Sequence, residues 1–313
     1  MPLGLRRGTV SVVLEQEPEL VRLEVDGIPC VAYPRLTGEV EVGDDVLVNE
    51  QARLLELGSG GFDVLYANLT RGLGLRADEG AHVMALPYTP GQVARTQKEE
   101  TDALAKTLGG LPVVLCTVHS QVAPVCAGLR GVRVAYVQVQ GGALPVSLSD
   151  AVRALKGRGL IAIACAVAPC LDGDADFVTG GAALAWAAAD GYDAVVCSVG
   201  PGIVGTGTRL GHGAVALADA ANVASALGGR PVLAVRTSDA DPRERHRGVS
   251  HHARAVLELA LAEVLVPADA DGDGWEDACA GLPLSHMGRG PDDDPAFFRA
   301  AYGAGVAARR LAG

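Results

Sequence analysis

The chain has 313 residues, 49% of them apolar and only 4% aromatic, and a formal charge of −11. This composition excludes wholesale disorder and suits Ala-, Val- and Leu-rich helices packed on a sheet, in one large α/β domain with an appendage or in two medium ones. The negative balance argues against non-specific nucleic-acid binding, which needs Lys and Arg to neutralise phosphates, but it allows a local basic pocket for an anion.

The start, MPLGLRRGTVSVV, has no long apolar segment of the signal-peptide kind and reads directly into a strand. Between Thr9 and Leu69 the runs TVSVVL, VRLEVDG, IPCVAYP, EVEVGDDVLVN and FDVLYANL are separated by Asp26-Gly27, Pro34, Gly43-Asp44 and the Gly58–Gly61 cluster. Close-spaced strands with turn residues between them predict a small barrel-like all-β domain over residues 1–75. Residues 76–313 change rhythm. A helix is predicted near Gln92–Leu108, followed by buried-strand runs at PVVLCTV, VRVAYVQV, LIAIACAVA, AVVCSV, PVLAVRT and EVLVP. Helical patterns separate most of them: Val122–Leu129, Ser149–Lys156, Thr179–Ala189, His212–Leu227 and His251–Val264. Together these predict a Rossmann-like α/β domain: a doubly wound, mainly parallel sheet of about six strands with helices on both faces.

No apolar run approaches the length of a membrane span. The seven cysteines, an odd number, sit mostly within strand patterns (Cys116, Cys165, Cys197) and read as small buried hydrophobes in a reducing compartment. Cys165 and Cys170 are too irregularly placed for a zinc or redox pair. A cytoplasmic protein that binds neither membrane nor nucleic acid is expected.

In such a sheet, ligands bind beyond the carboxyl ends of the strands. There AVVCSV empties into GPGIVGTGTRLGHGA, which holds Gly200, Gly202, Gly205, Gly207, Gly211 and Gly213. Gly200, Gly202 and Gly205 form a literal G-x-G-x-x-G, but the acidic partner expected about 20 residues on is missing, since Asp239 lies too far along. The preferred reading is a loop whose backbone N–H groups cradle an anion, helped by Thr206, Thr208 and Arg209. The competing reading is that the glycines only permit tight turns and close packing.

In RHRGVSHHAR, Ser250 is a good N-cap, and Arg247, His251 and His252 surround the predicted helix start. Adjacent histidines point apart on a helix, so they cannot grip one metal without a third, distant ligand; no metal ligands are assigned and the cofactor is left unknown. His119 and Ser120 follow PVVLCTV, but sequence neighbours seldom face each other as base and nucleophile. SHMGRG holds His286 and Arg289 on an irregular loop. ADADGDGWED matches half of a calcium loop, but Ala280 stands where the closing glutamate should be, so it reads as a solvated acidic loop.

Taken together, VGDDVLVN, GSGGFDVLYANL, LPYTPGQ, HSQVAP, SVGPGIVGTGT, RHRGVSHH and SHMGRG resemble an uncharacterised bacterial family known only by a domain-of-unknown-function label (family 3866). The resemblance implies a cytosolic bacterial protein of this organisation and supplies no activity. The expected function is therefore binding or transforming a small anionic metabolite, phosphorylated or nucleotide-like. His119, His212 and His252 are the acid–base candidates. Ser120, Gly200, Gly202, Gly205, Thr206, Gly207, Thr208, Arg209, Asp239, Arg247, Ser250 and Arg289 are the ligand-binding candidates. The alternative is a non-catalytic regulatory or assembly protein whose Gly-rich loop serves subunit packing. Ala-rich helices that allow close approach make a homodimer the expectation under either reading.

Overall fold

The computed structural model describes residues 4–56, 61–75 and 79–313. Gly58–Gly60, part of the predicted turn and of the GSGGFDVLYANL segment, lie outside the described residues. The chain falls into two compact units, Met1–Thr96 and Gln97–Gly313.

The first unit is a closed barrel. Its strands are β1 (Leu5–Gln16), β2 (Val21–Val25), β3 (Ile28–Ala32), β4 (Asp45–Asn49) and β5 (Asp63–Asn68), with one-turn helices α1 (Pro34–Thr37) and α2 (Gln51–Leu54) in the connections. The order is β1-β2-β3-β5-β4, and β4 pairs back onto β1. Alternation decides which side faces in: Val21, Leu23 and Val25 of β2 and Val46 and Val48 of β4 join Val10, Cys30, Ala32 and Leu65 in the core. The predicted Asp26-Gly27 turn joins β2 to β3, both residues at positive φ (52° and 78°) as a two-residue hairpin demands. The buried Asp44 accepts from Asn68 Nδ2 (2.8 Å) and from Arg71 Nε and Nη2 (3.0 and 2.8 Å), pinning the far turn.

The helix predicted near Gln92–Leu108 does not form. Its beginning is instead β7 (Val93–Arg95), which pairs with β6 (Val83–Ala85) in a two-stranded ribbon. The remainder runs irregularly because its amides find partners elsewhere: Ala105 donates to the Ala185 carbonyl and Leu108 to that of Leu227.

The second unit is built on β8 (Pro112–Cys116), β9 (Val134–Val139), β10 (Ile163–Val167), β11 (Ala175–Phe177), β12 (Ala194–Val199) and β13 (Arg230–Ala234). All its pairings are parallel, in the order β11-β10-β9-β12-β8-β13. Six strands are present, but the sixth is β11 rather than EVLVP, from which Leu265 alone bridges to Val232. Val114, Cys116, Val134, Tyr136 and Val196 face a core completed by α3 (Val122–Gly128), α4 (Asp150–Gly157), α8 (Trp275–Ala278) and α9 (Pro295–Leu311). Val113, Leu115, Val137, Cys165 and Val195 face the other way, onto α5 (Gly180–Ala189), α6 (Ala216–Ala226) and α7 (His251–Leu259). Helices therefore cover both faces. A short ribbon of β14 (Thr237–Ser238) and β15 (Gly248–Val249) follows β13.

Side-chain caps start three helices: Ser149 accepts from Val152 N at α4, Thr179 from Ala182 N at α5, and Ser250 from His252 N at α7. The C-terminal helix α9 was not foreseen, since Gly303 and Gly305 weaken its pattern. Gly305 is there for contact: a Cβ would overlap the Val125 carbonyl of α3. All seven cysteines are free and buried. Among the described residues no helix is long and apolar enough to cross a membrane.

Candidate functional site

The carboxyl edge of the sheet carries the Gly-rich loop, and the loop does not run straight into a helix. It folds into a narrow hairpin, with Thr206 N donating to Gly211 O and Gly213 N to Val204 O, both at 2.8 Å. The hydroxyls of Thr206 and Thr208 bond each other (2.9 Å), and Arg209 turns out to pair with Glu258. Gly202, Gly205 and Gly207 are exposed. At the base of the hairpin the glycines permit loop-on-loop contact. A Cβ on Gly213 would overlap the Gly141 carbonyl, and one on Gly200 would overlap that of Ala143. Gly213→Ala is therefore expected to destabilise the second unit by about 2–4 kcal/mol in urea unfolding. Gly180→Ala, with open space at the Cβ position, should stay within about 0.5 kcal/mol. Equal effects would show that the close approach does not matter.

The hairpin returns the chain at His212, which is 6% exposed and stacks on His252 (centroids 4.2 Å apart, planes at 25°). His251 lies edge-on to His212 at 4.9 Å, and His246 packs against both α7 histidines at 4.8 and 5.0 Å. Hydrogen bonds assign the tautomers. His212 Nε2 donates to the Arg209 carbonyl at 3.0 Å, which leaves the lone pair on Nδ1. That Nδ1 and His251 Nε2 are buried without a hydrogen-bond partner among the described residues. His252 Nδ1 accepts from Arg236 Nη1 at 3.0 Å, and His246 Nδ1 lies 2.7 Å from Ser250 Oγ. One nitrogen each from His212, His251 and His252 can be chosen so that all three lie within 4.8 Å of one another.

Beside the imidazoles lies a buried ion cluster. Arg236, just past β13, is 2% exposed; its Nη2 stands 3.7 Å from Asp241 Oδ2, and its Nε has no acceptor among the described residues. Asp241 receives Arg243 through Nε and Nη2 (2.9 and 2.8 Å) and Arg289 Nη2 at 3.3 Å. Asp294 Oδ2 accepts from Ser238 Oγ (2.6 Å) and Arg289 Nε (3.1 Å). Ser120 Oγ is 2.9 Å from His286 Nδ1, and the His286 ring lies flat on Phe297 at 3.8 Å.

Burial sets the charge states. It pushes the Asp241 carboxyl up, but the hydrogen bonds and charge of Arg243 outweigh it and hold the group well below the carboxylate range. Burial lowers Arg236 only to about 10, so it stays cationic. Burial, followed by the charge of Arg236, takes His252 to about 2, and His246 and His286 to about 3. Burial and the neighbouring His212 take His251 to about 4, and burial also lowers His212. At neutral pH the imidazoles are free bases, and three guanidiniums (Arg236, Arg243, Arg289) face two carboxylates.

The residues anticipated from sequence divide between this cluster and its surroundings. His212, His252, Ser250, Ser120 and Arg289 take part in it. His119 serves as a tie: Nδ1 donates to the Val199 carbonyl (3.2 Å), while Nε2 sits 2.6 Å from the cap hydroxyl of Ser149. Asp239, Arg247 and Arg209 are exposed. Arg236 and Asp294 were not singled out beforehand; an arginine closing the apolar run PVLAV was the available signal for the first. The acidic ADADGDG loop supplies counter-ions to α9, Asp271 to Arg310 and Asp273 to Arg299.

A family model described as protein of unknown function (DUF3866) matches residues 29–278, and the chain belongs to that family. The matched span holds His212, Arg236, Asp241, His246, His251 and His252, whereas His286, Arg289 and Asp294 follow it. No curated protein matches the chain.

Proposed function

We propose that this DUF3866 protein is a cytoplasmic protein that binds a small anionic metabolite, of phosphate or nucleotide type, beyond the carboxyl ends of β8, β12 and β13. One observation carries the reading: the Arg236 guanidinium is buried and cationic, with its Nε–H lacking an acceptor among the described residues. A buried donor on a charged group costs several kcal/mol of lost solvation unless something accepts from it, and an anion oxygen is the complementary partner. The surplus of guanidiniums over carboxylates favours the same ligand. The Gly-rich hairpin contributes by placing His212, with its tip beside Arg245. The seven unpaired cysteines support the cytoplasmic assignment; a disulfide in protein isolated without reductant would contradict it.

The test is calorimetric titration of chelator-treated, full-length protein with inorganic phosphate. Wild type is expected to bind one phosphate per chain, and Arg236→Met to bind at least about tenfold more weakly while keeping native tryptophan fluorescence. Arg289→Gln, a partly exposed member of the cluster, is expected to weaken binding less. Absence of binding by wild type, or equal affinity in both variants and wild type, would overturn the reading.

A further inference from the structure

We propose that His212, His251 and His252 bind one divalent transition-metal ion of the zinc type, with three protein ligands and a position left open for an exogenous one. The site stands on these residues alone; only its action on a bound anion rests on the function proposed above.

The adjacent pair on α7 cannot hold an ion unaided, since neighbouring side chains on a helix diverge. The Gly-rich hairpin brings His212 across to meet them, which makes a three-nitrogen set within 4.8 Å. Zn–N distances of about 2.0–2.1 Å imply nitrogens about 3.3 Å apart around a tetrahedral ion, so the rings draw together by small rotations on loading. His212 is already oriented for the task. Its Nε2–H is anchored on the Arg209 carbonyl, the outer-shell bond that metal-ligating histidines commonly make, and its Nδ1 lone pair is buried without a partner among the described residues. His251 Nε2 is likewise buried and unpartnered among the described residues. Two such buried nitrogens in one cluster are costly unless a shared electrophile satisfies both.

An all-imidazole set selects zinc, cobalt, nickel or copper over magnesium and calcium, which prefer oxygen. Three protein ligands with a vacant position are the arrangement of catalytic rather than structural zinc sites. His252 must bind through Nε2, because Nδ1 faces the Arg236 donor. On ligation the His252 proton moves from Nε2 to Nδ1, with no net proton lost. Nη1 of Arg236 then gives up that bond, and the guanidinium is held by Asp241, whose Oδ2 is 3.7 Å from its Nη2.

The experiment is titration of full-length, chelator-treated protein with Zn2+ by calorimetry and with Co2+ by visible absorption. One ion per chain and a cobalt spectrum of low-coordinate nitrogen type are expected. His212→Ala and His251→Gln should each weaken binding by about 100-fold or more, while His82→Gln, in the other unit, should leave it unchanged. Should His212→Ala fail to fold, the half-buried His251 carries the test. Substoichiometric binding by wild type, or unaltered affinity in a folded His251→Gln protein, would overturn the proposal. Phosphate binding by the metal-free protein is scored separately, so loss of either reading leaves the other measurable.

Discussion

Asp241→Asn is expected to destabilise the second unit by about 3–5 kcal/mol, the cost of leaving buried charges without their counter-ion. Asp241 is fully buried and answers Arg243, Arg289 and, at longer range, Arg236. Asparagine keeps the shape and one acceptor but removes the charge, so three guanidiniums face Asp294 alone. Both tryptophans, Trp186 and Trp275, lie in this unit, so their fluorescence during urea unfolding reports on it directly. The exposed neighbour provides the comparison: Asp239→Asn should change stability by no more than about 0.5 kcal/mol. If the cluster is an anion site, millimolar phosphate should restore part of the loss in Asp241→Asn by supplying the missing negative charge. A loss below about 1 kcal/mol would mean that the arginines relax into solvent and that the cluster is not preorganised.

Acidification from pH 7 to pH 5 is expected to cost the same unit about 4 kcal/mol through His119 and His286 alone. His119, facing Tyr136 and Ser149, is held at about 4 by burial. His286 faces Ser120 and Phe297 and is held at about 3, first by burial and then by the charges of Arg236 and Arg289, against the opposing pull of Asp241. In the unfolded chain both titrate near 6.5. Above that value neither state binds the protons, and the stability is fully present. Below it the unfolded chain takes up two protons at these positions that the folded chain refuses, so His119 and His286 by themselves lower stability by about 2.7 kcal/mol per pH unit until the folded values near 4 and 3 are reached, and the depressed imidazoles of the histidine cluster steepen the slope further. The depressed carboxyl of Asp241 acts in a lower window, below the unfolded carboxylate value near 3.9, which separates the two effects. Urea midpoints at half-unit pH intervals measure the slope. A flat profile between pH 7 and 5 would show that the folded protein takes up protons at its imidazoles as readily as the unfolded chain does.

The barrel and most of the parallel sheet were legible because their signals are local. Asp26-Gly27 announces a hairpin through the φ its turn requires, and AVVCSV or PVVLC announces a strand buried on both faces. Failures came where local pattern and tertiary demand diverged. Gln92–Leu108 has helical composition, but its amides bond to carbonyls of α5 and of the turn after α6. β11 is too short and too acidic to stand out, and α9 carries Gly305 because α3 comes too close for anything larger. At the site, the serine cap, the adjacent histidines and the Gly-rich loop were all visible. Their convergence was not, because His212 reaches α7 only through the hairpin's return, and Arg236 is buried by a packing that no periodicity encodes.

The strand order has a consequence for how the second unit is assembled. β8 and β9 are consecutive in the chain, yet they never pair, because β12 occupies the position between them. β9, β10 and β11 can pair as they follow one another, but β8 finds no partner until β12 and β13 arrive. Joining β8 to the rest therefore waits on β12, a pairing of high sequence separation of the kind that slows folding. β12 delivers the Gly-rich hairpin as it inserts, so the edge on which His119, His212 and Gly141 meet is completed in the same event that closes the sheet.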